Sequence, residues 1–356
     1  MCARLFQSVF AMCLLTLPAL AQDEPDTIAP EIGSRVLENY VTPALARFDE
    51  TSSSLATSLS AACESGSAGD LDAARSGFSD TLSAFAHVSV LRFGPLVAEN
   101  RFERVFFWPD PRGVTLRQVQ GLLAAEEPLP SDLADQSVAL QGLPALDYVL
   151  FGIGGDALAD DARRCNYAVA IANNVAEIAA QLEAAWAEGT SFRVSFISPA
   201  ADRDPYRSKA EVAGEIVKAA GTALEFARNA ELLPALGKTA EKARGKRAPF
   251  WRSGQTFAFA AAQIDGVQKL IEAAGFVDGH SDLVNGYGRG MNFDLSHARE
   301  ALLAVETAPE MAFSAKEDRG RISYATIAME GAKHTLNGEL SGALGLVMGF
   351  NALDGD

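Results

Sequence analysis

Residues 165–186 read CNYAVAIANNVAEIAAQLEAAW, and this stretch decides the fold class. Its large apolar side chains recur at steps of three and four residues: Ile171, Val175, Ile178, Leu182 and Trp186. That spacing lines one face of an amphipathic helix. The same period recurs later, first in Val212, Ile216 and Leu224 and then in Phe257, Ile264, Val267 and Ile271. The sequence therefore predicts an all-α protein.

Strand patterns are nearly absent, and the one β-like run covers residues 192–197. We interpret residues 189–205 as the connection between two helical domains, because Pro199 and Pro205 stop helices. Long amphipathic helices on both sides predict two helical bundles packed around an interdomain cleft. The expected N-terminal bundle spans residues 22–196, and the expected C-terminal bundle spans residues 197–356.

The composition excludes several classes of protein. A chain of 356 residues is long enough for two domains with buried cores. It carries 46 acidic against 30 basic residues, a formal net charge of −16, which is the wrong sign for binding nucleic acid or an anionic membrane. The 48% of hydrophobic and 21% of charged residues are ordinary for a globular protein. We therefore expect neither a nucleic-acid partner nor extensive disorder.

Residues 1–21 have the organisation of a signal peptide. Arg4 gives a positive start, residues 5–17 are mostly apolar, and residues 19–21 form a small-X-small cleavage site. The alternative is a membrane anchor, but the apolar stretch is shorter than the roughly 20 residues that a spanning helix needs, and Pro18 ends it. The sequence predicts export, with cleavage after Ala21 and no membrane insertion of the mature chain.

Two of the four cysteines, Cys2 and Cys13, leave with the signal peptide. The exported chain keeps Cys63 and Cys165, and one pair of cysteines in an oxidising compartment favours one disulfide. The alternative is two unrelated thiols. A two-cysteine metal site is disfavoured, because neither residue has another cysteine a few positions away.

One segment interrupts the helical rhythm: residues 92–113, RFGPLVAENRFERVFFWPDPRG. It interleaves arginines with aromatic residues, namely Arg92, Arg101, Arg104 and Arg112 with Phe102, Phe106, Phe107 and Trp108. Planar guanidinium groups bind carboxylates and other anions bidentately, so this segment is a candidate anion clamp. In the alternative interpretation, the arginines pair with Glu99, Glu103 and Asp110 over an aromatic core.

Two further residues join this candidate site. His87 lies seven residues before Gly94 and is a candidate for the cleft wall beside Arg92, with a half-buried structural histidine as the alternative. The second is Arg252: the basic stretch 238–247 would extend the positive surface if it faced the cleft together with Arg252, and otherwise that stretch is a solvated loop.

A second irregular point is residues 141–152, QGLPALDYVLFG. Gly142 can turn the chain, and Pro144 suits the first helical position. Asp147 is then expected in the first turn, where the positive end of a helix dipole favours a carboxylate. Its neighbours are apolar, so Asp147 is either partly buried with a partner or facing a cavity.

Five segments of the chain resemble the imelysin-like family, also classed as the M75 peptidase family. They are residues 142–151, RFGP (92–95), WPDPRG (108–113), FWRSG (250–254) and GFNALDGD (349–356). The resemblance implies an exported protein of two helical bundles with a cleft near their interface. It also implies a periplasmic role associated with bacterial iron uptake more firmly than with proteolysis.

The family's hallmark is Gly-X-His-X-X-Glu, whose His and Glu are its proposed metal ligands. This chain is similar to it at Gly142 and has Asp147 at the Glu position, but Pro144 replaces the His. Proline offers no donor atom to a metal, so Asp147 is the one remaining ligand of the hallmark, and iron is a candidate cofactor through that carboxylate alone. The chain belongs, on this interpretation, to a divergent subgroup.

The resulting hypothesis is a non-enzymatic periplasmic protein of iron acquisition, which binds an iron-related or anionic ligand in the interbundle cleft. Gly142, Pro144 and Asp147 should line that cleft, and the expected partners are a small ligand or metal ion and other periplasmic iron-uptake components. The first alternative is a metallopeptidase-like hydrolase, although the chain has no His-Glu-X-X-His motif. The second is a scaffold or interaction protein with a vestigial site.

Overall fold

The structure is a computed structural model that describes residues 28–346. The expected signal peptide at 1–21 and the GFNALDGD segment at 349–356 lie outside the described residues. Within this range every regular element is helical, so the predicted all-α class is confirmed. No helix between residues 28 and 346 is both long enough and apolar enough to cross a bilayer.

Eight α-helices precede residue 200. They are α1 (Ile32–Val36), α2 (Thr42–Ser65), α3 (Ala68–Ser89), α4 (Arg101–Val105), α5 (Val114–Ala124), α6 (Leu143–Phe151), α7 (Ala162–Ala185) and α8 (Ser191–Ile197). A π-helical segment, Leu37–Val41, joins α1 to α2 without a break. Short 3₁₀ turns lie in the connections, at Gly94–Leu96, Ala98–Asn100, Val138–Leu140 and Gly155–Asp160.

Seven α-helices follow within the described part of the chain. They are α9 (Lys209–Phe226), α10 (Leu233–Leu236), α11 (Thr256–Ala273), α12 (Asp282–Leu303), α13 (Pro309–Ala312), α14 (Lys316–Thr335) and α15 (Ser341–Ala343). π-Helical segments connect α9 to α10 (Ala227–Leu232) and α14 to α15 (Leu336–Leu340), and 3₁₀ turns occupy Ala240–Lys242 and Gly245–Arg247.

The ends and the buried faces of the long helices follow from their sequences. The side chain of Asp161 accepts the backbone N–H of Arg164 and caps α7, and Ser67 caps α3 in the same way. Gly66 ends α2 in the left-handed conformation at φ 65°. The predicted apolar faces are buried: Ile171, Val175, Ile178 and Leu182 in α7, and Phe257, Ile264, Val267 and Ile271 in α11.

The β-like run at residues 192–197 is a helix, α8. Phe192 and Phe196 are four residues apart and therefore lie on one helical face, where both pack edge-on against Trp186 at ring-centroid distances of 4.9 and 5.2 Å. Contacts between aromatic side chains override the local strand preference of the run.

The long helices form two packed groups. Helices α2, α3 and α7 pack together in the first half, and α9, α11, α12 and α14 pack together in the second, with α11 also lying against α3. Buried apolar side chains of both groups join in one continuous core. The short α1 packs against α8 and α9, so the start of the described chain reaches the second group. The boundary expected after residue 196 falls in the last turn of α8 and stays a prediction.

The predicted disulfide is present in the structure. Cys63 near the end of α2 is bonded to Cys165 near the start of α7, with their Cα atoms 5.7 Å apart. The bond therefore ties two helices of the first group together at one end.

Candidate functional site

The Gly-X-Pro-X-X-Asp element opens helix α6. Gly142 is the N-cap residue in an extended conformation, and Pro144 is the second helical residue, one position later than expected. A Cβ atom on Gly142 would lie 2.3 Å from the carbonyl oxygen of Val105 and 2.5 Å from that of Arg104. The glycine is therefore needed for close approach of α6 to the end of α4, and not for the turn that the sequence indicated.

Asp147 lies deeper in α6 than the sequence indicated. It is the fifth residue of the helix, beyond the first turn, and only 2% of it is exposed. Its Oδ1 accepts the backbone N–H of Ser253 at 3.1 Å. Burial raises the pKa of Asp147 to about 6, although hydrogen bonding from Ser253 and the charge of Arg252 act in the opposite direction. The carboxyl group is therefore buried, has a partner and lines a cavity at the same time.

The partner segment is the FWRSG turn that precedes α11. Phe250 has a φ of +55°, a region that bulky residues rarely occupy. Its ring packs on Phe106 and Phe259 at centroid distances of 5.4 and 4.9 Å. Its carbonyl oxygen accepts the N–H of Gln255 and the hydroxyl of Ser253. Packing and hydrogen bonds together hold the turn in this conformation.

The side chain of Arg252 extends from this turn toward Asp147. A guanidinium nitrogen, Nη1, lies 3.9 Å from Oδ2 of Asp147. The guanidinium carbon lies 4.4 Å from the ring centre of Trp251 and 5.3 Å from that of Tyr148. Burial lowers the pKa of Arg252 from its ordinary value, but arginine stays charged in proteins. About 21% of the side chain is exposed, so the cation is accessible.

These groups line a cavity of about 150 Å³. Its wall comes from four segments of the chain: Trp108, Asp110, Gly113, Thr115 and Leu116; Pro144, Asp147 and Tyr148; Lys246 and Ala248; and Phe250, Trp251 and Arg252. The indole N–H of Trp108 donates to the carbonyl of Ala230 at 2.8 Å, which fixes that ring. The first and second halves of the chain both contribute to the site.

The acidic and basic side chains of the cavity differ in their hydrogen bonding. The carboxylate of Asp110 accepts the backbone N–H groups of Val114 and Thr115 at 2.7 and 2.8 Å, as an N-terminal cap of α5. Lys246, in contrast, is exposed and lies 4.9 Å from the ring centre of Trp251. Within residues 28–346, neither Lys246 nor Arg252 donates a side-chain hydrogen bond. Among the described residues, both cations of the cavity therefore have unused donors, and so does the buried hydroxyl of Thr115.

The cavity does not fit the metal site that the family hallmark implies. Pro144 supplies no ligand atom, and the two oxygens of Asp147 face an N–H group and a guanidinium cation. No group of three or more His, Cys, Asp or Glu side chains suited to a metal ion occurs within the described range. A guanidinium beside the one remaining ligand would repel a second cation.

The four arginines of the predicted anion clamp do not converge on one site. Arg92 lies over the rings of Phe102 and Phe226, at 3.9 and 4.4 Å, with Glu103 at 3.8 Å. Arg101 donates to Glu99, Gln181 and the carbonyl of Pro95. Arg104 donates to Gln141 and Asn174, and Arg112 is exposed. None of the four lines the Asp147 cavity.

His87 also lies elsewhere, in a second cavity between α2, α3 and α11. The structure thus brings together Pro144, Asp147, Trp108 and Arg252. Tyr148, Trp251 and Ser253 were not among the candidate site residues of the sequence, and Lys246 entered only as part of the basic stretch 238–247. The FWRSG segment contained the signal for two of them, because it interrupts the helical period and places an aromatic, a cation and a hydroxyl in succession.

Fold and site together define a two-bundle helical protein with a small polar and aromatic pocket where its two halves meet. The chain belongs to the imelysin family, also called peptidase family M75, whose family model matches residues 41–328. A search of curated proteins gave no significant match.

Two solved structures share this fold. The first is an imelysin-like protein from Psychrobacter arcticum 273-4, with a TM-score of 0.73, 19% identity, and coverage of 91% of this chain and 98% of the other. The second is a putative iron-regulated protein A precursor from Parabacteroides distasonis ATCC 8503, with a TM-score of 0.70, 13% identity, and coverage of 88% and 94% respectively. At such identities the likeness extends to the fold.

Proposed function

We propose that this protein is exported to the periplasm and binds a small anionic ligand in the Asp147 cavity, as a non-enzymatic component of iron acquisition. The guanidinium of Arg252 carries this proposal. It opens into the cavity between the rings of Trp251 and Tyr148, and its N–H donors are not used by other described residues. A planar guanidinium with free donors matches a carboxylate in geometry and charge.

The walls of the cavity indicate the rest of the ligand. Trp108, Tyr148 and Trp251 offer aromatic surface, and Lys246 adds a second cation over the ring of Trp251. A volume of about 150 Å³ accommodates a group of roughly one aromatic ring. The best-matched ligand is a small planar aromatic carboxylate, with its ring between the aromatic walls and its charge on Arg252.

The connection to iron rests on the family and on one structural neighbour, which is named an iron-regulated protein A precursor. Because the residues around Asp147 do not fit a bare metal ion, iron would enter as a complex with an organic anion. Transfer to or from other periplasmic iron-uptake components is part of the proposal.

The test is calorimetric titration of the chain from residue 22 with salicylate, an aromatic carboxylate that chelates ferric iron, and with its iron(III) complex. Arg252→Met should weaken binding about tenfold or more, because the ligand loses its charge partner. Arg247→Met is the matched control: residue 247 is exposed and adjacent to Lys246, but does not line the cavity. Equal affinities of the wild type and Arg252→Met would contradict the proposal.

A second measurement separates this proposal from direct metal binding and from hydrolysis. Metal analysis and titration with uncomplexed iron are made on the wild type and on Asp147→Asn. Retention of iron by the wild type that is lost in the variant would overturn the anion proposal in favour of a carboxylate ligand. Peptide cleavage that Asp147→Ala abolishes would overturn the non-enzymatic role.

A further inference from the structure

A second cavity, of about 410 Å³, lies away from the Asp147 site, between the two groups of helices. The π-helical segment 37–41 and helix α2 form one wall, α3 forms another, and α11 contributes Lys269. Clefts of this volume at the junction of two structural units are common positions for small-molecule sites. The two cavities share no lining residue.

A charged cluster lies behind one side of this cavity, and two of its members, His87 and Lys269, form part of the wall. Asp265 on α11 lies 3.4 Å from Nε2 of His87 and 2.7 Å from Nζ of Lys269, and Arg299 on α12 donates to its other oxygen. Tyr40 donates its hydroxyl to the carbonyl of His87 at 2.8 Å, which holds α3 against the π-helical segment. Three helices therefore position the cluster.

The ring of His87 contributes no charge to the cavity at neutral pH. Burial lowers the pKa of His87, and the charge of Lys269 lowers it further, although Asp265 acts in the opposite direction. With the imidazole neutral, Asp265 is shared between Lys269 and Arg299, so the cluster keeps one net positive charge, and Lys269 is its cation that lines the cavity.

The remaining walls present charges of both signs. Asp80 on α3 is exposed and has no ion-pair partner within residues 28–346. Arg47 on α2 pairs with Glu50, one turn away on the same exposed face, and such pairs contribute little and open readily. Between these charges lie the apolar surfaces of Pro43, Ala44 and Ala84.

We infer that this cavity binds a small zwitterion of the amino-acid type, with its ammonium group at Asp80 and its carboxylate toward Arg47 and Lys269. A simple anion would leave Asp80 facing a like charge, and a simple cation would meet Lys269 and Arg47. A ligand with one charge of each sign satisfies both walls, and an aliphatic side chain would cover the apolar surface between them.

The inference goes beyond the proposed function, and its test is independent of it. The thermal midpoint of the chain from residue 22 is measured with the proteinogenic amino acids, one at a time at millimolar concentration. Binding to the folded state raises the midpoint. The amino acid with the largest effect is then titrated calorimetrically beside its decarboxylated amine and its deaminated acid, each of which keeps one of the two charges. Each analogue should bind about tenfold more weakly or worse.

Variants locate the binding. Asp80→Asn and Lys269→Gln should each weaken binding of the selected amino acid about tenfold, whereas Asp72→Asn should leave it unchanged. Asp72 is also an exposed acid of α3 but does not line this cavity. Arg252→Met should leave amino-acid binding unchanged, which separates this site from the Asp147 cavity. The inference fails if no amino acid raises the midpoint, if the single-charge analogues bind as tightly, or if Asp80→Asn and Asp72→Asn behave alike.

Discussion

The backbone N–H of Ser253 donates to Oδ1 of Asp147 at 3.1 Å, across 106 residues of sequence. The acid comes from the interior of α6, and the donor comes from the turn before α11. The electrostatic state of Asp147 therefore depends on the packing of the second half of the chain against the first. A carboxyl group with these surroundings exists only in the assembled fold.

The first prediction concerns the ionisation of Asp147. Its pKa is about 6 in the folded state, against an ordinary value of 3.8. Since the folded state holds the proton more tightly, the contribution of this group to stability falls as pH rises from about 4 to about 6. Asp147→Asn keeps an acceptor for Ser253 and cannot ionise. The variant should gain ~2–3 kcal/mol relative to the wild type over this pH range.

Urea denaturation at pH 4 and at pH 8 measures this difference. Asp72→Asn, an exposed acid on α3, is the control and should give a pH dependence close to that of the wild type. Parallel wild-type and Asp147→Asn stabilities across this range would show that burial does not hold the carboxyl in its neutral form.

The second prediction concerns Glu231, in the π-helical segment 227–232. Its side chain is 1% exposed, and its Oε1 accepts a hydrogen bond from Gln263 at 3.0 Å. Burial raises the pKa of Glu231 to about 8. Its Oε2 and the Oε1 of Gln263 are both buried acceptors without a partner among the described residues. A proton on Glu231 converts one of them into a donor.

Because the folded pKa of Glu231 is raised, its contribution to stability falls as pH rises from about 4.5 to about 8. Glu231→Gln removes this loss and should be more stable than the wild type above pH 8, by an amount of order 4 kcal/mol. Thermal midpoints between pH 5 and pH 9 test this. If the variant is less stable than the wild type at pH 9, the carboxylate is compensated in its charged form, and Arg92 is the cation to examine.

The helical period predicted the fold class because a helix with one buried face has apolar residues every three or four positions, and this spacing can be read from a short stretch of sequence. Ile171, Val175 and Ile178 are all buried in α7, as that spacing requires. The site was less accessible to sequence reasoning. Whether Arg92 or Arg252 faces a cavity depends on which aromatic rings pack over it, and those rings come from distant segments. Proximity in sequence grouped the four arginines of residues 92–113, and none of them lines the Asp147 cavity. Arg252, which the sequence analysis added from a distant segment, does line it.

The strand pattern of residues 192–197 was overridden for a related reason. A run of six residues is too short for its period to separate helix from strand. Phe192 and Phe196 both contact Trp186 and Phe93. Residues four apart lie close enough for this on a helix, whereas on a strand they would be roughly 13 Å apart. Trp186 is close in sequence, but Phe93, which both rings also contact, is about a hundred residues away.

The third prediction concerns the disulfide. It closes a loop with a sequence separation of 102 between Cys63 and Cys165. In the chain-entropy account, a loop of that length stabilises the folded state by ~4–5 kcal/mol through the unfolded ensemble. The double variant Cys63→Ser, Cys165→Ser should lose most of that free energy in urea denaturation while keeping the helical circular-dichroism spectrum. Added reductant should destabilise the wild type but leave the double variant unchanged; an unchanged wild-type midpoint would contradict the prediction.

The fourth prediction compares two glycines. A Cβ on Gly142 would lie 2.3 Å from the carbonyl oxygen of Val105, a backbone atom that cannot rotate away, so α6 would have to move. Gly142→Ala should cost about 2 kcal/mol or more. Gly121, inside α5, has open space within 4 Å of the position that a Cβ would occupy. Gly121→Ala should stabilise the protein by about 0.5–1 kcal/mol, the ordinary gain of replacing glycine in a helix.

Replacement of Gly142 should also affect the Asp147 cavity. Because Gly142 sets the start of α6, its replacement displaces Asp147 and Tyr148, and both line the cavity with Arg252. Salicylate affinity should therefore fall in Gly142→Ala and stay at the wild-type value in Gly121→Ala, when both are measured where each variant is fully folded by circular dichroism. Wild-type stability and affinity in Gly142→Ala would mean that α6 does not depend on contact with Val105 and that the pocket is positioned by the FWRSG turn alone.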